Sequence, residues 1–347
     1  MSDQPYSIDE VEAGGSSPIR PPAPRWADAL RTAYRDPAEL ARALDLPERW
    51  AEQARVAASR FPLFAPRGFV RRMRRADPHD PLLRQVMPLE AETHTSAGFE
   101  ADPVGDAPAM LSPGWLQKYA GRVLLVATGA CAIHCRYCFR RHFPYPEVPR
   151  SVAQWELGLA QIAADPSVRE VILSGGDPLT LVDRLLAELT ARVASIGHVR
   201  RLRIHSRLPI VIPERIDDAL LAWLTGTRLA PVMVVHVNHP QEIDATVEAA
   251  LARLVEAGVP VLNQAVLLRG INDDVDVLAE LCERLADLRV MSYYLHQLDR
   301  VAGAAHFEVP ESEGLRLIEA LRGRLPGYAV PRYVRETPGE RSKLPLA

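Results

Sequence analysis

Six short β-rich runs, at 122–128, 170–174, 199–206, 231–238, 260–268 and 290–297, alternate with amphipathic stretches such as 151–164, 179–196, 241–257 and 275–288. Strands separated by helix-length segments pair in parallel, because the return path has to be a crossover. The rhythm therefore places the chain in the α/β class. Six units are too few for a closed eight-stranded barrel. The expected outcome is a partial (β/α)6 TIM-like barrel with an N-terminal helical extension. In this architecture reactive groups gather on the loops that leave the C-terminal ends of strands.

The first such loop carries Cys131, Cys135 and Cys138 in the run Cys-Ala-Ile-His-Cys-Arg-Tyr-Cys. Three thiolates hold three irons of a cubane [4Fe–4S] cluster and leave the fourth iron open to chelate a substrate or cofactor. A zinc knot is the alternative, but zinc takes four ligands at compact spacing. The one other cysteine, Cys282, stands far along the chain in a predicted helix, where a small buried apolar residue is expected. His134, inside the loop, would make a cramped fourth ligand. The next strand ends in Val-Ile-Leu-Ser-Gly-Gly-Asp-Pro-Leu, residues 171–179. Gly175 and Gly176 permit close approach of a ligand to the backbone, and Asp177-Pro178 also reads as a helix cap with proline at the first helical position.

The remaining composition narrows the class. The chain has 347 residues and a net charge of −3, with acidic and basic residues interspersed, so nothing marks a nucleic-acid or membrane binder. Four cysteines, three of them clustered, suit a metal site in a reducing compartment better than a disulfide framework. The N-terminus lacks a basic start and an apolar core, so no secretory signal is expected and a cytoplasmic location is. The Gly-, Ser- and Pro-rich residues 1–24 read as a flexible leader. Residues 25–115 read as a helical region broken at Pro37, Pro47 and Pro62, with Asp36 as a cap, followed by a Pro-rich connector from 76 to 114. The barrel is expected over 116–310, and a C-terminal helix with a lysine-bearing segment over 311–347.

The cysteine spacing, with Tyr137 before the last cysteine, resembles the radical S-adenosylmethionine superfamily. Beyond it, Tyr119-Ala-Gly-Arg122, Phe-Arg140-Arg141, Ser-Gly-Gly-Asp177, His-Ser-Arg207, His-Val-Asn-His239-Pro and Leu-Asn-Gln264 follow in order. Together these resemble the lysine 2,3-aminomutase family from about Leu116 to the C-terminus. The resemblance implies a [4Fe–4S] cluster on the three cysteines, and S-adenosyl-L-methionine at Ser174, Gly175, Gly176 and Asp177. It also implies pyridoxal 5'-phosphate linked to Lys343, its phosphate held by Tyr119 and Arg122. Lysine suits the covalent role because a desolvated amine attacks an aldehyde. Without the resemblance, Lys343 reads as a solvated charge behind the Pro338-Gly339 turn. Gln264, His236 and His239, at predicted strand ends, are expected to line the cofactor site or to be satisfied core groups.

The resemblance places the substrate α-carboxylate on Arg140, which alone would read as a solvated arginine beside Arg136 and Arg141. It places the distal ammonium of L-lysine on Asp299 and Glu336. Glu336 departs from the aspartate of the larger aminomutases, one methylene longer. Paired carboxylates call for a cation between them, which disfavours a substrate with a distal carboxylate. The C-terminal run Arg335-Glu-Thr-Pro-Gly-Glu-Arg-Ser-Lys343 resembles the branch that makes β-lysine, expected R, for elongation factor P, functionally linked to the ligase of that factor. The zinc-binding tail of the larger enzymes is not expected here. An external electron donor, flavodoxin-like or similar, is implied. The alternatives are an aminomutase of free lysine metabolism, a radical enzyme without pyridoxal phosphate, and a non-catalytic iron–sulfur or zinc module.

Overall fold

The computed structural model describes residues 25–149 and 151–347. The expected leader, 1–24, lies outside the described residues. One sheet runs in chain order through ten strands: β1 Met110–Ser112, β2 Trp115–Leu116, β3 Arg122–Thr128, β4 Glu170–Gly175, β5 Arg201–His205, β6 Ala230–Val235, β7 Val261–Val266, β8 Met291–His296, β9 Arg332–Arg335 and β10 Leu344–Pro345. Strands β3 to β9 pair in parallel, with β1–β2 antiparallel at one edge and β10 antiparallel on β9 at the other. The six expected strands are all present. The sheet also gains short strands at both margins, which lacked the length to register as periodic runs.

Strand alternation decides what the barrel encloses. On one face Val123, Leu125, Val171, Leu173, Leu202, Ile204, Met233 and Val235 are buried in a core with Trp155, Leu159, Leu186, Leu189, Leu220 and Leu251 of the crossover helices. The alternate positions, among them Arg122, Ser174, Arg203, His205, Gln264, Tyr294 and His296, line a cavity instead. Successive side chains on a strand point to opposite sides, so the face turned away from the helices carries these polar residues into the lumen.

The crossover helices start later than periodicity suggests. The expected helix at 179 begins at Asp183, after a short 3-10 turn at Pro178–Thr180; the one expected at 241 begins at Ala245. In both places a proline near the strand end imposes a tight turn first. The N-terminal helices Arg25–Arg31, Pro37–Ala43, Arg49–Arg60 and Arg67–Val70 break at the expected prolines, and Asp36 caps the second by accepting from Ala38 N at 2.9 Å. The segment read as a connector is instead folded into the barrel. Glu100 N donates to Arg300 O at 2.9 Å and Ala302 N to Glu100 O at 2.8 Å, beside the loop that follows β8. No helix among the described residues is long and apolar enough to cross a membrane.

Candidate active site

A cavity of about 3240 Å³ runs through the lumen and out toward the N-terminal helices, and Cys131, Cys135, Cys138, Tyr119, Arg122, Ser174, Gly175, Gly176, Asp177, Arg140, Gln264, Asp299, Glu336 and Lys343 all line it. These fourteen candidates therefore reach one space, and His239 does not.

The cysteine loop is fastened from outside the barrel. Arg136 is fully buried and forms two bonds to Glu92, Nε to Oε1 at 2.8 Å and Nη2 to Oε2 at 2.6 Å, and a third to Phe61 O at 2.8 Å. Arg141 Nη2 also donates to Glu92 Oε2, at 2.8 Å. Arg136 N donates to Gln85 O at 2.9 Å, and His134 N to Phe64 O at 2.9 Å. His134 stacks on Phe61 and donates from Nδ1 to Pro62 O at 2.8 Å, so it faces the N-terminal helices. The alternative reading of a solvated basic loop does not hold: the side chains of Arg136, Arg140 and Arg141 are buried, with Glu92 and Asp106 meeting their charges.

Around the sulfurs, burial pushes the Cys131 thiol well up, with Cys138, Asp177 and Cys135 adding to the effect, and pushes Cys138 to about 11. Arg207 Nη1 donates to Cys135 Sγ at 2.8 Å, while Nη2 donates to Gln85 Oε1 at 2.6 Å and Glu242 Oε2 at 2.9 Å. Tyr137 joins the same buried set through Gln85, Asn238 and His236. Sequence reasoning listed His-Ser-Arg207 as a motif without giving Arg207 a contact.

The two glycines serve the chain itself. A Cβ on Gly175 would lie 2.8 Å from Thr128 O, and one on Gly176 would lie 2.2 Å from Ala130 O. Gly175 also holds φ +117°, a region L-residues avoid. Gly176 N and Asp177 N donate to Thr128 O and Ala130 O at 2.8 and 2.7 Å, fixing the cysteine loop against β4. The glycines thus admit the cysteine-loop backbone at close range, and both also border the cavity. Asp177 caps the 3-10 turn through Leu179 N and also accepts from Ser206 Oγ, Arg207 N and Leu208 N.

The opposite wall is a chain of ion pairs. Arg140 Nε donates to Asp106 Oδ2 at 2.6 Å and its Nη1 to Ser174 Oγ at 3.3 Å. Lys118 pairs with Asp106 at 2.7 Å and stands 3.6 Å from Glu336. Glu336 Oε1 accepts from Tyr119 Oη at 2.7 Å, and Oε2 accepts from Lys343 Nζ. The β9–β10 register aligns Leu344 with Arg335, which puts Lys343 across from Glu336. Burial alone would raise the Glu336 carboxyl, but Lys343, Tyr119 and Lys118 hold it below its ordinary value. Burial raises Asp299 to about 7 against the opposing pull of Lys343. Arg122 lies over the Tyr119 ring at 4.5 Å.

Besides His134, three histidines line the same cavity: burial lowers His205 and His296 well below the imidazole range and His236 to about 3. All three are neutral, so they add no positive charge beside Lys343. Gln264 lies in the middle of β7 rather than at its end. His239 follows the second of its two expectations, a satisfied polar group: it caps the turn at Pro240–Glu242, accepting from Gln241 N at 3.0 Å, and does not line the cavity. Cys282 is buried on the helix Val275–Asp287.

Residues 125–282 match the radical SAM superfamily. The L-lysine 2,3-aminomutase of Haemophilus influenzae is 44% identical over 318 residues, 92% of this chain and 94% of that protein. The enzyme of the same name from Escherichia coli K12 is 45% identical over 322 residues, again 92% and 94% of the two chains. That of Clostridium subterminale is 39% identical over 272 residues, 78% of this chain and 65% of the relative.

Proposed function

The chain belongs to the L-lysine 2,3-aminomutase family within the radical S-adenosylmethionine superfamily, and from that membership we propose a role for each wall of the cavity. The protein is an isomerase that uses a [4Fe–4S] cluster, S-adenosylmethionine and pyridoxal phosphate to move the 2-amino group of lysine to the neighbouring carbon. Cys131, Cys135 and Cys138 would hold the cluster; Ser174 to Asp177 and Gln264 would border S-adenosylmethionine. Tyr119, Arg122 and Lys343 would hold pyridoxal phosphate. The donor set suits these groups: three thiols, one amine and a guanidinium share the lumen. Arg203 Nε and His205 Nε2 are buried there without a hydrogen-bond partner among the described residues, a demand that a bound polar ligand meets.

When bound, the cluster and S-adenosylmethionine supply a radical that takes hydrogen, and pyridoxal phosphate supplies a carbonyl for the amine and a π system that spreads an unpaired electron. The chain's own residues do the rest. Arg140, its Nε edge fixed by Asp106, presents the remainder of its guanidinium to the substrate α-carboxylate. Asp299 and Glu336 receive the distal ammonium. Glu336 Oε2 is the neighbouring acceptor for the proton on Lys343 Nζ. Burial of the lumen keeps water from a reactive intermediate.

The observation that carries this reading is the position of Lys343, which points into the lumen against Glu336 and shares that lumen with the three cysteines. Anaerobic turnover tests it: the reconstituted protein with both organic cofactors, a reductant and L-lysine is expected to yield β-lysine. Cleavage of S-adenosylmethionine without β-lysine would defeat the Arg140, Asp299 and Glu336 assignments. We further propose that the product is the R enantiomer and is destined for elongation factor P. The C-terminal run from Arg335 to Lys343, with Glu336 where the larger enzymes have aspartate, supports that destination. Chiral analysis of the product, and its transfer to the factor by the partner ligase, decide between this and free lysine metabolism.

A further inference from the structure

Glu336 carries an unexpected partner. The carboxylate assigned to the substrate's distal ammonium is already bonded to the amine of Lys343, and its other oxygen accepts from Tyr119. The pairing is built into the fold. β10 returns antiparallel to β9 with Leu344 opposite Arg335 and Pro345 opposite Val334, and Leu346 N closes the hairpin on Tyr333 O at 2.8 Å. Lys343 and Glu336 are the facing residues at the mouth of that hairpin.

The charges along this wall can be counted. Arg140 and Lys118 flank Asp106, and Lys118 and Lys343 flank Glu336, with Asp299 close to both lysines. With Asp299 ionised, three cations face three anions, so the wall is balanced and has no place for another ammonium. If the ammonium of Lys343 is removed, two cations face three anions, and one cation is missing beside Glu336 and Asp299.

We propose that Lys343 acts as a placeholder for the substrate's distal ammonium: in the cofactor-free protein it caps Glu336, and the site for the substrate ammonium opens only when the Lys343 nitrogen is committed elsewhere. This rests on the assignment of Glu336 to lysine recognition and adds an order to it. Condensation of the Lys343 amine with an aldehyde releases the ammonium proton and one water and leaves a neutral imine nitrogen, so one cation is lost from beside Glu336 and Asp299. The pocket thus becomes selective for a distal cation at the stage when the covalent cofactor is in place. A free diamine or lysine meets a neutral wall before that stage and an anionic one after it.

The test uses the cluster-loaded, pyridoxal-free chain and isothermal titration with L-lysine and with 1,5-diaminopentane, which carries a distal ammonium but no carboxylate. Lys343→Met keeps the length of the side chain and deletes its charge. It is expected to bind both ligands about tenfold more tightly than the wild type, because an occupied site lowers apparent affinity by the fraction of it that is free. Glu336→Gln on the wild-type background is expected to change affinity less than about twofold, and on the Lys343→Met background to cancel the gain. Equal affinities of wild type and Lys343→Met, or a loss on Glu336→Gln alone as large as on the double variant, would overturn the placeholder role. Turnover of lysine by the fully loaded wild type is a separate readout. If it persists while the titrations show no gain, the lysine assignment stands and only the placeholder fails; if turnover itself is absent, the functional reading fails first.

Discussion

The buried carboxylate of Glu92 should hold the cysteine loop in place, and Glu92→Gln isolates that effect. Glu92 is 1% exposed at its side chain and meets Arg136 and Arg141, which are 0% and 4% exposed. Glutamine keeps the shape and leaves two guanidinium groups sharing one neutral oxygen, with its NH2 directed at donors. Removing one partner from a buried ion pair costs about 3–5 kcal/mol, because the surviving charge stays desolvated. With a urea m-value of about 3 kcal/mol/M, the unfolding midpoint should fall by about 1–1.7 M. Arg136 N also donates to Gln85 O, so the same change should loosen the loop that presents Cys135 and Cys138. Iron content after anaerobic reconstitution, measured beside the urea curve, reads that second effect. Glu90→Gln, an exposed position one turn away, is the control and should stay within about 0.5 kcal/mol. A Glu92→Gln protein with a midpoint within about 0.3 M of wild type and full iron content would refute the reasoning.

Other changes probe the remaining walls. Gly176→Ala sets a Cβ against Ala130 O at 2.2 Å, a backbone atom held by Asp177 N, and should cost at least about 1–3 kcal/mol in a thermal or urea melt and reduce iron loading. Arg207→Gln removes a cation from Cys135 Sγ; since a cation favours the more negative, reduced cluster, the midpoint potential read by electron paramagnetic resonance titration should become more negative. Lys343→Ala should abolish pyridoxal attachment, and retained pyridoxal absorbance with turnover would contradict its assignment. Asp299, raised to about 7 by burial, is protonated below that pH and an anion above it. Lys343 opposes that rise, so in the Lys343→Met chain Asp299 stays protonated to a higher pH, and 1,5-diaminopentane should bind more tightly as pH rises from 7 to 9, by up to about tenfold per unit while Asp299 is still protonated. Flat affinity over that range would exclude Asp299 as a ligand of the ammonium.

The parallel strands were legible because each carries an apolar face. The alternate polar positions, Arg203, His205, Gln264 and His296, told less, since a side chain facing a hollow lumen and one facing solvent look alike in a sequence. The cysteine loop and the lysine near the C-terminus were found by spacing and by resemblance respectively. Nothing local distinguishes Lys343 from a surface charge until β10 folds back on β9. The glycine pair was legible as a point of close approach, but the approaching partner, the 128–130 backbone, is a tertiary fact. Least legible was the segment from 76 to 114. Gln85, Glu92 and Asp106 stand in a Pro-rich stretch with no period to mark them, and each acts on a residue at least 34 positions away. One signal did point to them. A loop with Arg136, Arg140 and Arg141 among Ile133, Tyr137 and Phe139 cannot bury its charges alone, and so required acids from elsewhere.

That requirement also explains why an open barrel needs its N-terminal segment. With seven parallel strands the lumen is closed on the sheet side only, and a radical held in a wet groove would be quenched. The segment from Phe61 to Lys118 contributes to closure while its acids and its lysine enter the site: Glu92 under the cysteine loop, Asp106 behind Arg140, Lys118 between Asp106 and Glu336. One covering element thus braces the cysteine loop through Glu92 and contributes Asp106 and Lys118 to the cavity wall. The extra methylene at Glu336 fits the same logic. An aspartate there would withdraw its carboxylate by about one bond length, 1.5 Å. It would then have to give up Tyr119 Oη, now at 2.7 Å, or Lys343 Nζ, whereas the glutamate reaches both with separate oxygens. The length of the glutamate is therefore matched to the position of the hairpin, where it meets Tyr119 and Lys343 at once.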